Sequence, residues 1–213
     1  YFQDCSTFHS EHAGVGIDHL QEKNRVWVLS SWQIIVERYP KLCERIKITT
    51  WPYAFKRFLG SRNFTMEDVR GATVAYANSL WTYLDLETGM PVNVSEQQIA
   101  AYTLEEKYPM EYAPRKIRMP DDTVEYESFP VRPHHLDTNH HVNNGQYVAM
   151  AEEYVPADFC VHQMRAEYKG QAVLGNMIVP KVKREQGLCT VALCSENGGP
   201  YAVVELKEKR EWN

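Results

Sequence analysis

The run Leu136-Asp137-Thr138-Asn139-His140-His141-Val142-Asn143-Asn144-Gly145 sets a carboxylate, an amide and an imidazole at alternate positions, directly ahead of a helix-like segment. In extended chain, side chains repeat with a period of two, so Asp137, Asn139 and His141 are expected on one face. A base, a hydrogen-bond donor and a general acid gathered there suit the activation of water, which makes hydrolysis the first chemistry to consider. An imidazole with a pKa near ~6.5 can give or take a proton at neutral pH. A carbonyl attacked by water gathers negative charge on its oxygen, and a donor must meet that charge. Helix N-termini present unpaired backbone N–H groups and a positive dipole end. The N–H groups around Asn143, Asn144 and Gly145, or the Asn139 amide, are therefore the candidate oxyanion donors. Spacing does not decide which of Asp137 and His141 is the base. A lone Asp or Asn in a loop is commonly a turn or capping residue, and Asn143 with Gln146 could be a cap and nothing more. Histidines 134, 135, 140 and 141 have no cysteine or carboxylate set behind them as further ligands, so no metal and no cofactor are expected.

A polar triplet needs a scaffold, and 213 residues are enough for one large domain or two of about 100 residues each. The formal charge of −5 argues against a nucleic-acid partner. No apolar run approaches the ~18–20 residues of a membrane span. Cys5, Cys43, Cys160, Cys189 and Cys194 are odd in number and lack CxxC spacing, so all five are expected to be buried, inert thiols. With no signal or transit segment read, a reducing cytoplasm is the expected setting.

The scaffold reads as an α+β duplication. A helix over 1–13 carries Phe2, Cys5, Phe8, His9 and Ala13 on one face. Strands follow over 26–36, 45–51, 56–64 and 72–86, the first β-branched and aromatic and ended by Tyr39-Pro40. The later half repeats the order: a strand over 126–131, a helix over 144–154 closed by Pro156, then strands over 160–168, 173–183, 188–194 and 201–207. A short helix over 96–107 precedes a proline- and charge-rich linker over 108–123. The expected division is 1–107, linker 108–123, and 124–213 bearing the polar triplet. The strand over 126–131 has no counterpart before the first helix, so the first half's opening strand is read as missing from the sequence. Trp32, Trp51 and Trp81 are most simply core, and His9, His12 and His19 are surface or core-edge.

The stretch from Leu136 through Asn144 to Tyr147 closely resembles the acyl-acyl-carrier-protein thioesterase motif L-D-x-N-x-H-V-N-N-x-x-Y. Tyr1-Phe2-Gln3-Asp4, Arg25-Val26-Trp27-Val28-Leu29, Glu37-Arg38-Tyr39-Pro40 and Trp51 resemble further positions of that family, in order. The resemblance spans essentially the whole chain, and its compactness is similar to the bacterial branch. It implies a tandem hotdog, each half a long helix wrapped by a curved antiparallel sheet. It implies hydrolysis of fatty acyl-carrier-protein thioesters to free fatty acid, with chain length read in the first half. Plant members carry a catalytic Glu-Cys pair shortly after a Glu-Tyr; after Glu167-Tyr168 this chain has Gln171-Ala172. An amide cannot act as a base, so Gln171 is expected to position water or substrate, leaving the chemistry to Asp137 and His141. The implied carrier protein is acidic, and Arg115, Lys116 and Arg118, or Lys181, Lys183 and Arg184, are the basic clusters that could meet it. An acyl-CoA thioesterase and a non-catalytic acyl-binding hotdog are the alternatives. The oligomeric state stays open, a homodimer included.

Overall fold

A computed structural model describes residues 1–209 and divides the chain into two units, Tyr1–Ala113 and Pro114–Asn213. The first contains α1 (Phe2–His12), α2 (Ile17–Glu22), β1 (Arg25–Val36), β2 (Ile46–Lys56), β3 (Leu59–Asp68), β4 (Thr73–Asp85) and α3 (Glu96–Ala100). Its strands lie antiparallel in the order β2-β3-β4-β1. Helix α1 is held on this sheet by Phe2, whose ring centroid lies 6.2 Å from Trp32 and 5.3 Å from Phe64. The strand period of two turns Asn63 away from Phe64, to the opposite face. There the buried Asn63 accepts from the Tyr108 N–H (3.1 Å) and the Tyr112 hydroxyl (2.9 Å). Gln33 similarly donates to the Glu111 carbonyl and accepts from the Ala113 N–H, both at 2.9 Å. Two amides thus strap residues 108–113 across the outer face.

The second unit holds β5 (Val124–Glu125), β6 (Phe129–Pro130), a 3-10 turn (Pro133–His135), α4 (Asn144–Glu152), β7 (Val161–Tyr168), β8 (Met177–Glu185), β9 (Leu188–Cys194) and β10 (Pro200–Glu208). Antiparallel pairing gives the order β7-β10-β9-β8-β5, with β6 also on β8. Every residue of β9 after Leu188 is buried, so both of its faces are covered. Ile117 and Met119 pack with Ala192, Cys194 and Val203 on one face, and α4 contacts β9 and β10. Helix α4 buries Tyr147, Met150 and Ala151.

Several expectations change. The segment 56–64 runs through the β2–β3 turn: Lys56 pairs with Leu59, and Arg57 takes the left-handed φ of 55° that glycine or asparagine usually signals. The helix over 96–107 stops at Ala100, and beyond it β2 takes up backbone groups just ahead of the strap through the Glu105 N–H to Pro52 carbonyl bond (3.2 Å) and the Trp51 indole to Glu106 carbonyl bond (2.9 Å). Of the strand expected over 126–131 only the short β6 forms, with β5 ahead of it at Val124–Glu125; Pro130 offers no N–H to extend β6. The strand over 173–183 begins at Met177, because residues 173–176 turn with Gly175 at φ 81°. The short helix α2 was not expected at all. The segment 108–123 is shared: Ala113 is tied to the first unit, while the Ile117 N–H is held by Glu167 in the second. All five thiols are free, but Cys43 and Cys160 are exposed, on loops rather than in a core. Among the described residues no helix is long and apolar enough to cross a membrane.

Candidate active site

The Asp137 segment is a tight turn, not extended chain. Leu136 and Val142 face each other in an antiparallel bridge, the Asp137 N–H bonds the His141 carbonyl (2.8 Å), and the His140 N–H bonds the Asp137 carbonyl (3.1 Å). His140 sits at φ 61°, a left-handed conformation that costs a residue with a Cβ about 1 kcal/mol. The period-two argument for a shared face therefore fails. The three residues are gathered by another device: Asp137 Oδ1 accepts from the N–H groups of both Asn139 (2.8 Å) and His141 (3.2 Å). Short polar side chains do this in turns because their oxygens reach backbone donors two to four residues on. The second oxygen of Asp137 has no partner among the described residues. Asn139 is exposed, whereas Asp137 and His141 are half-buried.

Helix α4 begins where this turn ends. Asn143 caps it, with Oδ1 accepting the Gly145 N–H at 2.8 Å, while its own N–H bonds the His135 carbonyl at 2.9 Å. A Cβ on residue 145 would stand 3.3 Å from that cap oxygen. Two of the three expected oxyanion donors, the N–H groups of Asn143 and Gly145, are thus already engaged. Asn144 keeps an N–H with no partner among the described residues, and the set contracts to it and the Asn139 amide.

Gln171 is exposed, yet the backbone beside it is firmly held. Ala172 accepts from the Val142 N–H (2.9 Å) and gives its own N–H to the Tyr147 hydroxyl (3.0 Å), and Val173 bridges His141. Gln171 is therefore brought beside the Asp137 turn. The Tyr168 hydroxyl donates to the Asn144 carbonyl at 3.1 Å, with its ring 6.2 Å from that of Tyr147. Burial pushes the Tyr147 phenol up to about 12 and raises that of Tyr168 as well. Neither tyrosine was singled out for the site: Tyr147 reads as core, and the signal was its place inside the motif.

Neighbouring groups are structural. Glu167 holds the Ile117 N–H (3.0 Å) and the Lys169 ammonium (3.2 Å). His135 accepts the Arg132 N–H on Nδ1 (3.0 Å); burial first, then the charges of His134 and Arg132, lower its pKa. Of the basic clusters, Lys181 pairs with Glu125, Lys183 with Asp122, and Arg184 donates to the Tyr154 carbonyl over the Tyr126 ring. Arg118 meets Asp121 at 3.7 Å, both highly exposed.

Known proteins place the chain. The acyl-ACP thioesterase N-terminal domain model matches residues 1–102, and the C-terminal domain model matches residues 119–199. The chain belongs to the acyl-ACP thioesterase family. A palmitoyl-acyl carrier protein thioesterase of Arabidopsis thaliana is 26% identical over 70% of this chain and 39% of its own length. A chloroplastic acyl-[acyl-carrier-protein] hydrolase of Cuphea viscosissima is 26% identical over 95% of this chain and 54% of its own. The chain thus spans about half or less of the length of these relatives. In fold it is similar to an acyl-ACP thioesterase of Bacteroides thetaiotaomicron (TM-score 0.88, 23% identity, 97% of this chain and 86% of that one). It is also similar to the 12:0-ACP thioesterase of Umbellularia californica (TM-score 0.84, 18% identity, 98% and 87%). The α+β fold is the tandem hotdog that the sequence implied.

Proposed function

We propose that this chain hydrolyses fatty acyl thioesters of acyl carrier protein, releasing free fatty acid and carrier protein and so ending elongation. The observation that carries this reading is the Asp137 turn, set directly before α4 in a chain of this family, with one carboxylate oxygen organising the turn and the other uncommitted. The uncommitted oxygen takes the proton of, or orients, the attacking water. The Asn144 N–H and the Asn139 amide meet the developing oxyanion; one such donor is worth about 10²–10³ in rate. His141 delivers a proton to the departing thiolate, and Gln171 positions water or substrate. Neither a metal nor a cofactor is required for these steps.

The carrier protein is best met by Arg115, Lys116 and Arg118, of which Arg118 alone has a carboxylate partner among the described residues, the exposed Asp121, whereas Lys181, Lys183 and Arg184 each have a carboxylate or carbonyl partner. A cytoplasmic setting fits substrates of this kind. The test is parallel hydrolysis of one acyl group carried by acyl carrier protein and by CoA. A clear preference in kcat/KM for the carrier-protein thioester is expected; equal or faster turnover of the CoA thioester would make this a CoA thioesterase instead.

A further inference from the structure

Tyr147 lies on α4 with only 2% of its surface exposed, and its phenol oxygen accepts the Ala172 N–H at 3.0 Å. Ala172 is held from its other side as well, by the Val142 N–H at 2.9 Å. Ala172, the residue next to Gln171, is thus gripped between the helix and the end of the Asp137 turn. Tyr168 makes the matching tie on β7, donating to the Asn144 carbonyl at 3.1 Å. The two rings lie 6.2 Å apart. Tyr147 ties α4 to the 171–173 segment, Tyr168 ties the first residue of α4 to β7, and Val142 joins the 171–173 segment to the turn.

We propose that Tyr147 is a positioning residue of the hydrolytic site: by holding the Ala172 N–H it fixes where Gln171 stands relative to Asp137. Tyr168 performs the equivalent task at Asn144, holding the carbonyl of the residue whose N–H is the candidate donor. The inference rests on the thioesterase reading above. A tyrosine phenol is neutral at neutral pH and burial raises its pKa further, so the Tyr147 oxygen accepts without bringing charge to the site. Geometry set this closely matters to rate, since small misplacements of reacting groups are amplified in the barrier.

Tyr147→Phe keeps the ring and removes the oxygen. Its kcat and KM on acyl-carrier-protein thioester should be measured beside Gln171→Ala and the double variant, with the melting midpoint of each. We expect kcat to fall about 10- to 100-fold with KM changed less than about two-fold, as for a displaced positioning group. In the Gln171→Ala background the same substitution should cost less than about three-fold, because the residue it acts through is gone. Equal losses in both backgrounds, an unchanged kcat in Tyr147→Phe, or an unchanged kcat in Gln171→Ala would each overturn the proposal. Should Tyr147→Phe fail to fold, Tyr168→Phe decides in its place: kcat should fall with KM held, and an unchanged kcat rejects the paired arrangement. A wild-type chain with no turnover would remove the thioesterase reading and this proposal together, whereas an active wild type with an unaffected Tyr147→Phe removes only the proposal.

Discussion

Replacing Asp137 separates its two duties. One oxygen accepts two backbone N–H groups, from Asn139 and His141, and so holds the turn that places both residues. Hydrogen bonds to a charged group contribute about 1.5–3 kcal/mol each when shielded. Asp137 is half-buried, so solvent reduces that, and about 2 kcal/mol for the pair is a reasonable figure. Asp137→Ala should therefore cost about 2 kcal/mol, a fall of about 4–8 °C in melting midpoint for a chain of this size. Asp137→Asn retains an acceptor oxygen and should cost about 1 kcal/mol or less, since a neutral acceptor is roughly half as strong. Activity should divide differently. Both variants lose the carboxylate, so both should lose about 10²–10⁴ in kcat, the usual worth of general acid–base catalysis. Thermal melts and steady-state hydrolysis on the same preparations supply both numbers. An Asp137→Asn variant that melts like wild type and keeps most of its turnover would refute the chemical role. One as unstable as Asp137→Ala would refute the account of the turn.

Asn63→Ala strips the acceptor from the Tyr108 N–H and the Tyr112 hydroxyl at a fully buried position, and should destabilise the first unit by about 2–4 kcal/mol. Hydrogen exchange should show residues 105–113 opening first; uniform loss of protection would contradict the strap. Tyr147 makes stability fall at alkaline pH: its folded pKa stands above the unfolded value, so its contribution is complete below 10.0 and is lost as pH rises to about 12. The shift corresponds to about 2–3 kcal/mol, an order-of-magnitude figure. Denaturant midpoints of wild type and Tyr147→Phe should converge between those limits, and parallel curves would argue against it.

Strands β1, β4, β9 and β10 were legible because their apolar, β-branched and aromatic runs were long and ended in recognisable turns. The β2–β3 hairpin was hidden because Arg57 adopts a turn conformation its residue type does not advertise. Helix α3 was overextended because the backbone beyond Ala100 finds partners on β2, a tertiary choice that no local pattern records. The candidate site was legible in residue identity but not in geometry. Asp137, Asn139 and His141 are associated through a side-chain-to-backbone turn, and period two had suggested the same grouping for a different reason. Which helix N–H groups remain uncommitted depends on Asn143 and His135, and the Tyr147 tie crosses 25 residues of sequence. Contacts of that kind have no signature in spacing.

The central claim is that Asp137 directs water onto an acyl-carrier-protein thioester. Hydrolysis of that thioester by the purified chain in ¹⁸O-labelled water, at single turnover with product acid analysed by mass, tests it most directly. Wild type should release free thiol together with fatty acid bearing one ¹⁸O in the first turnover, and Asp137→Asn should release almost none. Absence of acid release by wild type, or first-turnover acid without label, would contradict direct attack by water.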